Sequence, residues 1–189
     1  MITNIGLGIT GSFCTHEKII KSIEELVSKG YNILPIISNS VKIYDTRFGK
    51  SKDFIVKIEE LTKNKVIDNI VTAEPVGPKN LIDILVIAPC TGNTLSKLAN
   101  AISDGPITMV AKSLMRNFKP IVIGLSTNDA LGLNLHNIAT LINCKNVFFV
   151  PFGQDDFKNK PKSLISKWEL IEETIIQADK GLQIQPLLI

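Results

Sequence analysis

The chain has few of the residues that build metal sites and disulfide frameworks. Its 189 residues include three cysteines and two histidines. Cys14, Cys90 and Cys144 form no C-x-x-C pair. An odd number of separated cysteines is typical of a reduced protein without structural zinc. We therefore expect a cytoplasmic protein with no metal site.

Long apolar runs and one-sided charge are also missing. No run approaches the roughly 20 residues that span a bilayer, and the first residues, MITNIGLGITG, lack the basic region and cleavage site of a secretory signal. The net charge of +3 comes from 21 basic and 18 acidic residues that are interspersed. No basic stripe is interleaved with aromatics. The sequence therefore predicts neither a membrane nor a nucleic-acid partner.

Apolar strand-like segments alternate with amphipathic helices along the chain. Five buried strands are predicted, at NIGLGIT, NILPIIS, DILVIAP, KPIVIGLS and VFFVPF. The segment at residues 163–179, SLISKWELIEETIIQAD, is predicted as a long final helix. Such alternation predicts a doubly wound parallel sheet in three layers, the Rossmann-like α/β class. No stretch is typical of a linker, so we expect one domain over residues 1–189, with an apolar tail at 181–189.

In such sheets, ligands bind where the carboxyl ends of the strands meet the following loops. The first loop, GITGS, offers hydroxyls at Thr10 and Ser12, and Gly11 allows a ligand to approach the backbone closely. After the second strand, Ser38 and Ser40 stand where a dinucleotide-binding fold has an acid. These residues suit a phosphate. The alternatives are a glycine turn for the first loop and ordinary helix capping for the serines.

The third loop lies in APCTGNTLSKLANAISDG, residues 88–105. Thr91, Gly92, Asn93 and Thr94 supply hydroxyls, an amide and a flexible backbone at the start of a helix. A flat heteroaromatic ligand needs such donors and acceptors. Capping of the helix by Thr91 or Asn93 is the alternative, and it is compatible with ligand binding because a cap leaves other N–H groups free.

Together, the three loops resemble those of the homo-oligomeric flavin-containing cysteine decarboxylase superfamily, which includes flavin prenyltransferases and phosphopantothenoylcysteine decarboxylases. The resemblance implies that the glycine turn and the serines flank the phosphate of flavin mononucleotide (FMN), and that the third loop meets the flavin. It also implies a homo-oligomer, in which the apolar tail would be buried; packing of the tail within its own chain is the alternative.

The chain departs from both familiar chemistries of that superfamily. Met109 stands where the prenyltransferase pattern has an arginine. The cysteine decarboxylases carry a histidine and a P-x-M-N motif, whereas the corresponding segments here read IYDTRFGKSKDF and GLSTNDALGLNLHN. The signature residues of either reaction are therefore absent.

Four further segments are distinctive: TRFG at 46–49, AEPVGPK at 73–79, STNDALGLN at 126–134 and PFGQDD at 151–156. With the third loop, they resemble the B-subunit family of dipicolinate synthases. The resemblance implies that the chain acts with an A subunit, which supplies NAD(P), in an oxidoreductase-type enzyme. The pair would convert a hydroxy-tetrahydrodipicolinate precursor from the lysine pathway into pyridine-2,6-dicarboxylate, in the mother cell of a sporulating bacterium. Another FMN-dependent decarboxylase or oxidoreductase, and a non-catalytic scaffold that has lost the flavin, are the alternatives.

A dianionic substrate requires cationic and amide groups near the flavin loop. Arg47 is the candidate carboxylate-binding residue, because Gly49 lets its loop bend inwards; a solvated surface arginine is the alternative. Asn128 and Asp129 follow the fourth predicted strand and should face the same crevice. Asp129 is a candidate proton acceptor, with a helix or turn cap as the alternative.

Other polar residues favour a structural role. His16 begins the first helix and is interpreted as a cap-region or surface histidine. Cys90 is interpreted as a small buried hydrophobe. The three lysines of the segment FKNKPK, at positions 158, 160 and 162, form a partner surface or a solvated loop.

Overall fold

The computed structural model describes residues 2–189 as a seven-stranded sheet with helices on both faces. The strands are β1 (Asn4–Ile9), β2 (Asn32–Ile37), β3 (Ile84–Cys90), β4 (Ile121–Thr127), β5 (Val147–Phe149), β6 (Phe152–Gly153) and β7 (Leu164–Ser166). The helices are α1 (His16–Ser28), α2 (Asn39–Ile43), α3 (Ser51–Thr62), α4 (Ile70–Ala73), α5 (Gly92–Ala99), α6 (Pro106–Arg116), α7 (Asn134–Ile142) and α8 (Ile171–Asp179). Short 3-10 turns lie at Phe13–Thr15, Glu74–Val76 and Trp168–Leu170.

The parallel part of the sheet has the order β2, β1, β3, β4, with β5 parallel to the first half of β4. All seven residues of β3 are buried, which explains why this segment is apolar on both faces. The predicted single-domain α/β fold with a mostly parallel sheet is confirmed. Because the chain leaves β1 toward β2 and later returns to its other side as β3, the loops after β1 and β3 border the crevice where such sheets bind ligands.

The far end of the sheet is antiparallel. Strand β7 pairs with the end of β4, and β6 pairs with β7. The predicted long helix at residues 163–179 is therefore wrong over its first eight residues, because the helix α8 begins only at Ile171. The Ser166 hydroxyl explains the difference: it accepts a hydrogen bond from the Leu125 N–H (2.8 Å) and donates one to the Val150 carbonyl (3.1 Å). These non-local bonds hold the segment in the sheet against its helical pattern.

The C-terminal tail packs on its own chain. The Gln183 side chain accepts a hydrogen bond from the Phe149 N–H and donates one to the Phe149 carbonyl, both at 2.7 Å. Residues 187 to 189 then run beside Phe152, which bonds to the backbone of Leu187 and Ile189. Packing within the chain, the alternative for this tail, is thus observed, although the Leu188 side chain stays 70% exposed.

Candidate functional site

Two adjoining cavities lie at the carboxyl ends of the parallel strands. The large cavity, of about 590 Å³, is bordered by the loop after β1, the end of β4, the turn at 46–49 and the segment between β6 and β7. The small cavity, of about 120 Å³, lies between the loop after β2 and the starts of α5 and α6. The volume of the large cavity is within the range of cofactor and substrate sites, roughly 300–1,000 Å³.

The structure divides the residues that the sequence predicts as cofactor-binding between these cavities. Three of them line the large cavity: Gly11, Ser12 and Thr91. Four line the small cavity: Ser38, Ser40, Asn93 and Thr94. Thr10 and Gly92 are buried behind these surfaces. The three predicted catalytic residues, Arg47, Asn128 and Asp129, all line the large cavity.

The Thr10 side chain joins the first and third loops. Its hydroxyl donates to the Pro89 carbonyl (2.6 Å) and accepts from the Thr91 N–H (3.0 Å). With 1% of its surface exposed, Thr10 positions both loops from inside the protein. Its predicted contribution to cofactor binding is therefore indirect.

Three hydroxyls form a closed cluster in the wall of the large cavity. Ser12 Oγ lies 2.7 Å from Ser126 Oγ and 3.1 Å from Thr15 Oγ1, and the last two oxygens are 3.0 Å apart. Each hydroxyl can donate to one neighbour and accept from the other. The cluster connects the loop after β1 to the end of β4, and Ser126 was not identified from the sequence.

The small cavity contains polar groups without protein partners. Within residues 2–189, the buried Ser38 hydroxyl has no hydrogen-bond partner. In this part of the chain, the side chain of Thr91, the N-cap of α5, accepts no hydrogen bond from the first N–H groups of that helix. Buried hydroxyls and free helix N–H groups are both expected to have partners. The arrangement is therefore suited to an anion.

Asp129 is part of a hydrogen-bond network at the start of α5. Its Oδ1 accepts from the Thr127 hydroxyl (2.5 Å), and its Oδ2 accepts from Asn134 Nδ2 (2.6 Å). Asn134 Oδ1 in turn accepts from Asn137 Nδ2 at 2.9 Å. The network fixes the orientation of the carboxylate through side-chain bonds from Thr127 and Asn134, and the carboxylate lies at the surface of the large cavity.

Arg47 lies at the tip of a tight turn. The backbone groups of Thr46 and Gly49 bond to each other in both directions (3.0 and 3.1 Å), and Gly49 has a φ of +137°, which favours glycine. The Arg47 guanidinium lies over the Phe48 ring, 4.9 Å from its centroid. On the other side of this turn is a third cavity, of about 350 Å³, with aromatic walls that include Phe13 and Phe54. The exposed Arg47 thus borders the large cavity from outside.

Lys160 is a second cation that the sequence did not place at the site. It lines the large cavity, whereas Lys158 and Lys162 do not belong to its wall within the described chain. The only sequence signal was the basic character of the segment after PFGQDD. That pattern could not distinguish which of the three lysines faces the site.

His16 and Cys90 are both structural. The surface alternative for His16 is wrong, whereas its position at the start of α1 is as predicted. The side chain is 8% exposed, stacks on Phe54 with ring centroids 4.4 Å apart, and donates from Nε2 to the Thr10 carbonyl (2.9 Å). Burial lowers the pKa of its imidazole, against the opposing effect of that hydrogen bond. The packing role of Cys90 is confirmed, since its side chain is fully buried and burial raises the pKa of the thiol.

The lowered pKa of His16 predicts a pH-dependent stability. Below its ordinary value of about 6.5, the unfolded chain binds a proton that the folded ring resists, so the free energy of unfolding falls as the pH falls. Thermal unfolding from pH 7.5 to 5.5 should show a smaller loss of Tm for His16→Gln than for the wild type. The exposed His136 provides the control, and His136→Gln should behave like the wild type. Equal pH slopes for all three proteins would contradict the assignment.

Among residues 2–189, no three His, Cys, Asp or Glu side chains are grouped so that they could hold a metal ion. Within the same range, none of the helices has the length and apolar character needed to cross a bilayer.

Comparison with known proteins defines the class to which this fold and site belong. The model of the flavoprotein family matches residues 2–178, and the chain belongs to that family. More particularly, the chain is 51% identical to the B subunit of dipicolinate synthase from Bacillus subtilis (strain 168) over 185 residues, which cover 98% of this chain and 92% of that protein. The crystal structure of the corresponding B subunit from Bacillus halodurans C has a TM-score of 0.90 at 48% identity, with 99% and 96% of the two chains covered.

A more distant structure shares the fold. Burkholderia xenovorans DmrB, solved in complex with FMN, has a TM-score of 0.69 at 16% identity, and the match covers 92% of this chain and 93% of that one. The resemblance to the B subunits of dipicolinate synthases, predicted from the sequence, is confirmed by the two closer relatives.

Proposed function

We propose that this chain is the B subunit of a dipicolinate synthase and that it binds FMN across the large and small cavities. The residues fit the cofactor: the unpartnered Ser38 hydroxyl, Ser40 and the first N–H groups of α5 supply donors for a phosphate. Gly11 and Thr91 border the large cavity, which has room for the ring system. When bound, FMN would supply a hydride acceptor.

One observation carries the assignment to this reaction. Arg47, Asn128 and Asp129 come from two segments 80 residues apart, TRFG and STNDALG, and line one cavity together with the cofactor loops. The same two segments supported the resemblance to the B subunits of dipicolinate synthases. The convergence of these residues at the loops predicted to bind flavin is the arrangement that a catalytic subunit requires.

The proposed reaction removes one water and two hydrogens from a hydroxy-tetrahydropyridine dicarboxylate to give pyridine-2,6-dicarboxylate. The Arg47 guanidinium binds a substrate carboxylate, and the Asn128 amide donates a hydrogen bond to the substrate ring or accepts one from it. The Asp129 carboxylate, held by Thr127 and Asn134, accepts a proton as the ring becomes aromatic. FMN, when bound here, or the NAD(P) of the A subunit would supply the acceptor for the hydride.

The proposal includes partners and a setting. The chain would pair with the A subunit, form a homo-oligomer and act in the cytoplasm of the mother cell during sporulation. Exposed apolar side chains near the site, among them Leu133 (91% exposed) and Phe157 (63% exposed), are available for such contacts. The similarity to DmrB, described as a cubic protein cage, supports assembly in this fold.

Reconstitution tests the proposal in two stages. The purified chain should bind FMN with a shifted flavin absorption spectrum. When the chain is mixed with the A subunit, the precursor and NAD(P), pyridine-2,6-dicarboxylate should form. Its ultraviolet absorbance measures the reaction. The A subunit by itself is the control. If product formed although the chain bound no FMN, the chain would be a non-catalytic scaffold for the A subunit. If the chain bound FMN but no product formed, it would catalyse another flavin-dependent reaction of this fold.

A further inference from the structure

We propose that Lys160 is the second cation of the substrate site and that Arg47 and Lys160 together select a dicarboxylate over a monocarboxylate. The inference deepens the proposed function and rests on it. It assigns a specificity role to a residue whose sequence context indicated only a partner surface or a solvated loop.

The two cations reach the large cavity from separate parts of the fold. Arg47 belongs to the turn between α2 and α3, and Lys160 belongs to the segment between β6 and β7. A six-membered ring with carboxylates at positions 2 and 6 presents negative charge on both sides of its nitrogen. A single arginine can neutralise one carboxylate, so a dianion requires a second donor.

Hydrogen bonds hold the backbone around Lys160 in place. Its N–H donates to the Asp156 carbonyl (2.7 Å), and its carbonyl accepts from the Ser163 N–H (3.0 Å). At the base of the segment, Gln154 Nε2 donates to the Pro161 carbonyl at 2.8 Å. Lys160 therefore has a defined backbone position, although its side chain is exposed.

Electrostatics leave the Lys160 ammonium free for a ligand. Within the described residues it forms no ion pair. Two acids share the cavity wall with it, Asp129 and Asp155. Asp129 already accepts bonds at both oxygens, and Asp155 is exposed to water, which weakens its attraction for a cation. A bound carboxylate would thus pair with an ammonium that no acid of the described chain holds.

Calorimetric titration of the full-length chain with FMN in excess tests the inference. The probes are pyridine-2,6-dicarboxylate and pyridine-2-carboxylate, which differ by one carboxylate. Lys160→Ala should weaken binding of the dicarboxylate about tenfold and change binding of the monocarboxylate less than about twofold. Lys158→Ala removes the same charge two residues away and should alter neither affinity. Arg47→Gln should weaken both ligands if its guanidinium binds the carboxylate that they share.

Each alternative result has a distinct meaning. If Lys160→Ala weakened both ligands equally, or if Lys158→Ala had the same effect as Lys160→Ala, the lysines would act only through their long-range electrostatic field. Either result would overturn the role of Lys160 in selecting the dicarboxylate. An unchanged dicarboxylate affinity in Lys160→Ala would also overturn it, as would a wild type that binds no dicarboxylate. The proposed function is tested separately and is contradicted if the chain and the A subunit form no product. If the wild type forms product but binds the dicarboxylate no more tightly than the monocarboxylate, only the inference on Lys160 is contradicted.

Discussion

Replacing Gly11 by aspartate is expected to abolish FMN binding while leaving the fold intact. Gly11 lies where the loop after β1 meets Ser40, and a Cβ at this position would be 3.2 Å from the Ser40 Cβ. A carboxylate added here would face the phosphate that we assign to Ser38 and Ser40. Like charges about 5 Å apart repel by about 3 kcal/mol at an effective dielectric constant near 20, which corresponds to more than a hundredfold loss of affinity.

Gly11→Asn separates charge from shape, since asparagine has nearly the size of aspartate. Both variants require the same small displacement of Ser40, so fluorescence titration with FMN should show the hundredfold difference between them. Riboflavin lacks the phosphate, and its affinity should be similar in the two variants. Affinities for FMN within about threefold of each other would place the phosphate elsewhere.

The parallel part of the fold was predictable because its signal is local. Each central strand is a short apolar run, such as β3, bounded by a polar loop and followed by an amphipathic helix. Strand β7 was missed because the contacts that hold it in the sheet are non-local: it pairs with β4 and β6, and the Ser166 hydroxyl bonds to Leu125 and Val150. A pattern along the chain cannot show a partner 41 residues away.

The sequence was sufficient to predict which loops form the candidate site, but not the contacts of individual side chains within it. The rule that ligands bind at strand ends predicted Asn128 and Asp129 at the crevice, and the bend expected at Gly49 predicted Arg47 there. All three line one cavity. The rule could not show that the Thr10 hydroxyl bonds to Pro89, because residue type does not specify a hydrogen-bond partner. The position of Lys160 depends on the antiparallel end of the sheet. Because strand β7 was not predicted, the place of Lys160 at the cavity could not be predicted either.

Replacing Gly92 by alanine is expected to disrupt both stability and activity. An added Cβ would lie 2.5 Å from Asn134 Nδ2, 2.8 Å from Thr127 Oγ1 and 2.9 Å from Asp129 Oδ1. These atoms cannot withdraw freely, because each is hydrogen-bonded within the Asp129 network. Overpacking of this kind costs about 1–3 kcal/mol. Urea unfolding should show that loss, and product formation should fall as Asp129 is displaced.

Gly105, the N-cap of α6, provides the steric control, because an added Cβ there would meet its nearest neighbour, Thr108 Oγ1, only at 3.8 Å. Gly105→Ala should therefore lower the free energy of unfolding only by the capping preference of glycine over alanine, about 1 kcal/mol or less, with no steric cost. A double-mutant cycle of Gly92→Ala with Asn134→Ala sharpens the argument, because removing the amide relieves the closest contact. The two losses should then be less than additive, as expected for residues in contact. Full additivity would show that the cost at Gly92 arises from the backbone of α5 and not from the network that orients Asp129.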